Sequence, residues 1–158
     1  MSESFSGSEV VEMGIQIEKN GFDFYSDLAS AIRDEKAKKV FEYLAVEESK
    51  HVKVFSKILN SVQDYEPVEL YPEEYFAYLK KIADQSVFTK KDKGHEVAAG
   101  IKDSEEAVKM AVSFEEESIR FFEEAKKAVS AEDELLIDKI ILQEENHIKK
   151  LNDLKKTV

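Results

Sequence analysis

Two stretches of this chain place a histidine one helical turn after a glutamate: Glu48-Ser-Lys-His51 and Glu144-Glu-Asn-His147. At i, i+3 spacing both side chains lie on one helix face and can reach one centre. Each pair has a further glutamate upstream. Glu18 precedes Glu48 by 30 residues, and Glu115 precedes Glu144 by 29. All six residues interrupt apolar rows at 3,4 spacing. The rows are Ile15, Glu18, Phe22, Tyr25, Ala29, Ile32; then Phe41, Leu44, Glu48, His51, Phe55, Ile58, Val62. In the second half they are Val108, Val112, Glu115, Ile119, Phe122, with Lys126 breaking the row before Val129; then Ile137, Ile140, Glu144, His147, Leu151, Leu154, Val158. Such rows face the core of a helical bundle. A buried, unpaired carboxylate is prohibitively costly there, and four at similar depth also repel one another. Two divalent cations resolve both problems, because four positive charges match four carboxylates and two neutral imidazoles supply further ligands. Carboxylate and imidazole donors suit iron and manganese, with zinc also compatible.

The elements that must position these residues are long helices. Ser6-Gly7-Ser8-Glu9 reads as a capping box opening a first helix that runs to about Arg33. Asp34 caps a second from Glu35 to about Val62, and Asp103 with Glu106 opens a third that ends near Val129. Ser130 and Asp133 mark a tight turn into a fourth. Residues 63–102 form a long connection that holds both prolines. Pro72 there opens a shorter helix, PEEYFAYLKKIADQ, with Tyr75, Phe76, Leu79 and Ile82 as its apolar stripe. Thr89 to Gly100 reads as a polar loop, with His95 in it as a solvated residue. Gly14 and Gly21 read as sites of close helix approach.

An internal repeat ties the halves together. An offset of 97 lays GIQIEKNGFDFY over AVSFEEESIRFF, matching Glu18 with Glu115. An offset of 96 lays LAVEESKHVKVF over IILQEENHIKKL, matching Glu48 with Glu144 and His51 with His147. The expected architecture is all-α: one domain over 1–158, built as a four-helix bundle from hairpins 8–62 and 103–158. The crossover 63–102 makes the second and third long helices parallel.

Composition narrows the function. With 34 acidic against 23 basic residues, the net charge of -11 disfavours nucleic acid and anionic membranes as partners. There is no cysteine, which excludes disulfides, iron–sulfur clusters and thiol catalysis. No apolar run approaches a membrane span, and MSESFSGSEVVEMG lacks the basic and apolar regions of a signal peptide. A cytoplasmic location is expected.

The same residues carry a resemblance. Glu18 with Phe24-Tyr25, Glu48-Ser-Lys-His51, Glu115 with Phe121-Phe122, and Glu144-Glu-Asn-His147 resemble the ferritin-like superfamily, most closely the rubrerythrin-type di-iron carboxylate proteins. Each ExxH alone would be unremarkable; two, each with an upstream glutamate, are specific. The resemblance implies two iron ions per chain. It makes Glu18 and Glu115 terminal ligands and Glu48 and Glu144 bridges, with His51 and His147 each completing one metal. It also implies a homodimer. Tyr25 reads either as a hydrogen-bond partner of a ligand carboxylate or as an ordinary core tyrosine. Adjacent Glu47, Glu116, Glu117 and Glu145 leave room for a one-residue shift in the ligand assignments.

Two departures from the family bear on activity. Rubrerythrins carry a rubredoxin-like domain with four cysteines, and this chain has none, so electrons must come from a separate donor. They also place a further glutamate one turn beyond the third-helix ligand, where this chain has Ser118; Glu117 points about 100° away. Two functions follow as expectations: redox chemistry on peroxide or dioxygen, or iron binding, storage or sensing without turnover.

Overall fold

The computed structural model describes residues 7–62 and 73–158, apart from the side chains of Phe76, Gln85 and Val87. Ser6 of the first capping box and the stretch from Gln63 to Pro72, including the proposed Pro72 helix start, lie outside the described residues. Six α-helices and no strand are found among the described residues: α1 (Gly7–Ala31), α2 (Glu35–Val62), α3 (Glu73–Gln85), α4 (Lys93–Ala99), α5 (Ser104–Ala125) and α6 (Ala131–Lys155). Short 3₁₀ turns at Val87–Thr89 and Lys126–Ala128 complete the chain. No described helix is long and apolar enough to cross a membrane.

The expected caps start the helices. Asp34 Oδ1 accepts from the Ala37 amide at 2.8 Å, Asp103 Oδ1 from Glu106 at 2.8 Å, and Ser130 Oγ from Asp133 at 3.1 Å. Each satisfies an amide that the first helical turn leaves without an internal partner. Lys126, which breaks the apolar row of α5, instead pairs with Asp138 at 2.9 Å and Glu123 at 3.2 Å, fastening the tight turn into α6.

α1 pairs with α2 and α5 with α6, and the hairpins pack through α1 on α5 and α2 on α6. Gly7 lies against Val62 and Ala128, so α1 begins where α2 and α5 end. The parallel course of α2 and α5 follows, and with it the ferritin-like four-helix bundle. A Cβ at Gly14 would stand 3.1 Å from the Phe55 ring, so α1 and α2 approach closely there.

The connection between the hairpins departs from expectation in one place. Residues 89–100, expected as a loop, include helix α4, which packs on α1 beside the 3₁₀ turn, while α3 packs on α5. Asn20, wholly buried on α1, holds this segment. Its Nδ2 donates to Phe88 O and Lys90 O, both at 2.6 Å, and its Oδ1 accepts from Gly94 N at 3.2 Å. A Cβ at position 94 would collide with the Asn20 backbone, so only glycine allows α4 to sit this close. Leu79 and Ile82 of α3 are buried as the stripe requires, and the Tyr75 hydroxyl donates to Glu124 O. His95 is exposed as expected, but its Nδ1 stands 2.6 Å from Asp27 and its Nε2 3.4 Å from Asp23, joining α4 to α1.

Candidate metal centre

The apolar rows deliver all six polar residues to mid-bundle. Glu18, Glu48, Glu115 and Glu144 are completely buried, and His51 and His147 nearly so. The row of α2 is buried throughout, and that of α6 as far as Leu154; Val158 is exposed beyond the helix end. The rows of α1 and α5 need correction. Phe22 is 40% exposed, while Ile17 and Phe24 take its place inside. Val112 and Ile119 are only half-buried, and Phe114, Ser118 and Phe121 are buried beside Glu115.

Ligand-type atoms form two groups, each with its atoms within 4.8 Å of one another: Glu18, Glu48, His51, Glu144 and Glu48, Glu115, Glu144, His147. Glu48 and Glu144 belong to both. The two imidazoles stack 5.9 Å apart, with their planes 18° from parallel. Each turns Nδ1 inward. His51 Nδ1 stands 3.2 Å from Glu18 Oε2 and 2.9 Å from Glu144 Oε1. His147 Nδ1 stands 3.6, 3.5 and 3.6 Å from Glu48, Glu115 and Glu144. The Nε2 atoms turn outward, His51 to Gln143 Oε1 at 2.6 Å and His147 towards Glu47 Oε1 at 3.9 Å.

Gly21 makes the carboxylate arrangement possible on the α1 side. A Cβ there would fall 3.0 Å from Glu48 Oε2 and 2.7 Å from the Phe114 ring. Tyr25 is the hydrogen-bond partner of a ligand-type carboxylate, donating its hydroxyl to Glu115 Oε1 at 2.6 Å. Glu117 turns to the crossover instead, accepting from Ser86 Oγ at 3.0 Å, and Ser118 Oγ bonds back to Phe114 O at 2.8 Å.

Protein groups alone leave this cluster unsatisfied. Six carboxylate oxygens make no hydrogen bond: Glu18 Oε1, Glu115 Oε2 and both oxygens of Glu48 and of Glu144. Both nitrogens of His147 lack one too. Buried polar groups are otherwise almost always paired. Burial, reinforced by the charge on Glu115, pushes the Glu18 carboxyl up to about 8. Burial and the neighbouring carboxylates raise Glu48 and Glu144 as well. Glu115 goes the other way: burial would raise it, but the close approach of Glu144 and His147 and the hydrogen bond from Tyr25 hold it below the usual range. His147, which burial would lower, is lifted to about 9 by Glu115 and Glu48. Tyr25 is raised well above its usual value by burial and the nearby carboxylates, so it keeps the proton it donates. Four carboxylates with unused oxygens and two inward imidazole nitrogens fit a pair of divalent cations, which would repay the burial of this charge.

The apolar rows pass over Asn20 and Gln143, and they offer Glu47 only as a one-residue shift of the Glu48 assignment. The repeat holds the signal for the last two, since the offset that pairs Glu48 with Glu144 also pairs Glu47 with Gln143.

The profile of the Rubrerythrin family matches residues 9–155. Among solved structures, a Thermotoga maritima protein provisionally described as a ferritin-like diiron-carboxylate protein superposes with a TM-score of 0.67 at 26% identity, covering 97% of this chain and 96% of that one. No curated protein matches.

Proposed function

The chain belongs to the Rubrerythrin family and is a dinuclear carboxylate protein; on that premise we propose that it reduces peroxide or dioxygen at two iron ions. Glu18, Glu48, His51, Glu115, Glu144 and His147 hold them. One observation carries the reading: two four-residue groups share Glu48 and Glu144. It supports Glu48 and Glu144 as bridges, Glu18 and Glu115 as terminal ligands, and one histidine for each metal.

Two ferrous ions held there would supply one electron each, enough with two protons to take peroxide to two waters. The side chains do the rest. Tyr25 Oη holds its proton on Glu115 Oε1 and so fixes that carboxylate. Loading displaces the protons that burial and neighbours keep on Glu18 and His147. Phe41 and Phe114 pack on Tyr25, and the buried Phe55 packs on Phe122; such apolar surroundings strengthen charge interactions inside the bundle. A separate electron donor restores the reduced state.

Ser118 favours a second reading, iron binding without rapid turnover. Where the resemblance calls for another carboxylate, a hydroxyl bonds back to its own helix, and Glu117 faces away. Anaerobic loading with ferrous iron followed by peroxide separates the two. Two irons per chain that oxidise rapidly and recycle with a reductant establish the enzyme. Two irons that oxidise slowly, without recycling, establish the binding role. One metal per chain at saturation would overturn both.

A further inference from the structure

Positions related by the internal repeat lie around both halves of the centre, yet they are chemically different. Behind His51 stands the amide of Gln143, its Oε1 2.6 Å from Nε2. Behind His147 stands the carboxylate of Glu47, its Oε1 3.9 Å from Nε2. That carboxylate is itself placed by Lys50 at 3.1 Å and by the Tyr43 hydroxyl at 3.3 Å. The Tyr43 ring packs edge-on to His147 with centroids 6.2 Å apart. The terminal carboxylates differ likewise. Tyr25 fixes Glu115 Oε1 and leaves Oε2 without a hydrogen bond. The 97-residue offset puts Phe122 at the position equivalent to Tyr25, and Phe122 has no hydroxyl to offer Glu18.

We propose that the two metal positions are unequal, with the one at Glu115 and His147 filling before the one at Glu18 and His51, and with Glu47 and Tyr25 as the positioning residues that set this order. The inference rests on the dinuclear reading above. At 3.9 Å the Glu47 carboxylate makes no hydrogen bond to Nε2 but adds negative charge near the cation. A small closing of that gap on metal binding would let it accept the outer N–H and make the inner nitrogen a stronger donor. Partners of this kind change metal affinity by about 10- to 100-fold. An amide oxygen orients the ring without contributing net charge. Tyr25 adds to the difference, because its hydrogen bond to Glu115 persists when an ion arrives, whereas Glu18 gives up its contact with His51 Nδ1 to the ion.

Chelator-stripped protein titrated anaerobically with cobalt(II), followed by d–d absorption and calorimetry, tests this. The expected result is two resolved steps, at least about tenfold apart in Kd, with His51→Ala losing the weaker step and His147→Ala the tighter one. Glu47→Gln should bring the two steps together by weakening the first. Gln143→Glu should bring them together by strengthening the second. Both side chains reach the surface, so these variants test the charge without opening the core. Tyr25→Phe should weaken the first step and alter the absorption envelope of the first ion bound. A single step for two ions in the wild type, or a tight step that survives His147→Ala, would overturn the inference while leaving two-metal binding intact. Fewer than two cobalt ions at saturation would overturn it together with the dinuclear reading.

Discussion

Helices α1 and α6 have the same length, yet eleven residues of α1 are buried and only eight of α6. The excess is arranged in doublets: Val10–Val11, Ile17–Glu18, Asn20–Gly21, Phe24–Tyr25 and Leu28–Ala29 on α1, with Ala107–Val108, Phe114–Glu115 and Phe121–Phe122 on α5. On α2 and α6 the buried positions are mostly single, spaced by three or four. Neighbours in sequence are about 100° apart on a helix, so doublets mean a buried arc much wider than one seam. The cause is the crossover, which lays α4 and a 3₁₀ turn on α1 and α3 on α5. Two helices therefore serve a seam alone, and two serve a seam and a second interface. The four clustered carboxylates lie in the seam; Asn20 works in the second interface.

Altering the seam at its centre should have the largest effect. Glu48→Ala is expected to abolish the stabilisation that ferrous iron gives, about 4 kcal/mol for free metal at a thousandfold excess over Kd. In chelator the variant should melt no lower than wild type, since one of four crowded carboxyls has gone. Thermal melting of both proteins, each with chelator and with iron, checks this. A variant that melts much lower in chelator yet binds two metals would make Glu48 a structural ion-pair partner and remove the distinction drawn for the seam.

The second interface has its own test. Asn20→Ala leaves the buried Phe88 O and the part-buried Lys90 O without their side-chain donor, at a cost of about 3 kcal/mol. Hydrogen exchange should accelerate in residues 87–99 while the seam of α2 and α6 stays protected. Uniform acceleration throughout would show that the crossover and the seam open as one unit.

A paired substitution on α1 sharpens the contrast at single-residue level. Ile17→Ala should cost about 3 kcal/mol, whereas Phe22→Ala should cost under about 0.5 kcal/mol. Urea denaturation of the two variants checks the difference, and equal costs would contradict the placement of the second arc.

A further expected effect is one of pH, confined to the seam. Glu18, at about 8, and His147, at about 9, both hold protons in the folded metal-free protein that the unfolded chain releases near 4.5 and 6.5. Their stabilising contribution is complete below those unfolded values and is lost as pH rises through the folded ones. Melting in chelator should therefore weaken between pH 7 and 9, as both protons are lost. Iron-loaded protein should not follow, because the ions replace the protons. Flat melting in chelator over that range would place neither group in the seam as described.

The same contrast explains what could be read in advance. On α2 a 3,4 row has only one way to lie, so Phe41 to Val62 could be assigned residue by residue, and Glu48 with His51 among them. On α1 the alternation of Phe22, Phe24 and Tyr25 admits two rows, and the one through Phe22 reaches solvent. Glu18 and Tyr25 belong to both descriptions and were unaffected. Helix α4 was missed because KGHEVAA is short and begins around a glycine that local propensity counts against a helix. Contact with Asn20, distant in sequence, demands that glycine, and local pattern cannot display a demand of this kind. Gln143 and Glu47 look like surface residues on any row. Only the comparison of one half with the other gives them meaning.

That comparison has a consequence for why the two hairpins occupy one polypeptide. Had identical hairpins associated as a homodimer about a two-fold axis, symmetry would oblige each to present the same residue behind its histidine, glutamate twice or glutamine twice. No point mutation could tune one ion without tuning its mate. Covalent continuity through the crossover lifts that obligation, leaving positions 47 and 143, and 25 and 122, free to diverge independently. The strap over α1 and α5 is thus also what would permit a pseudosymmetric cage to hold two unlike ions.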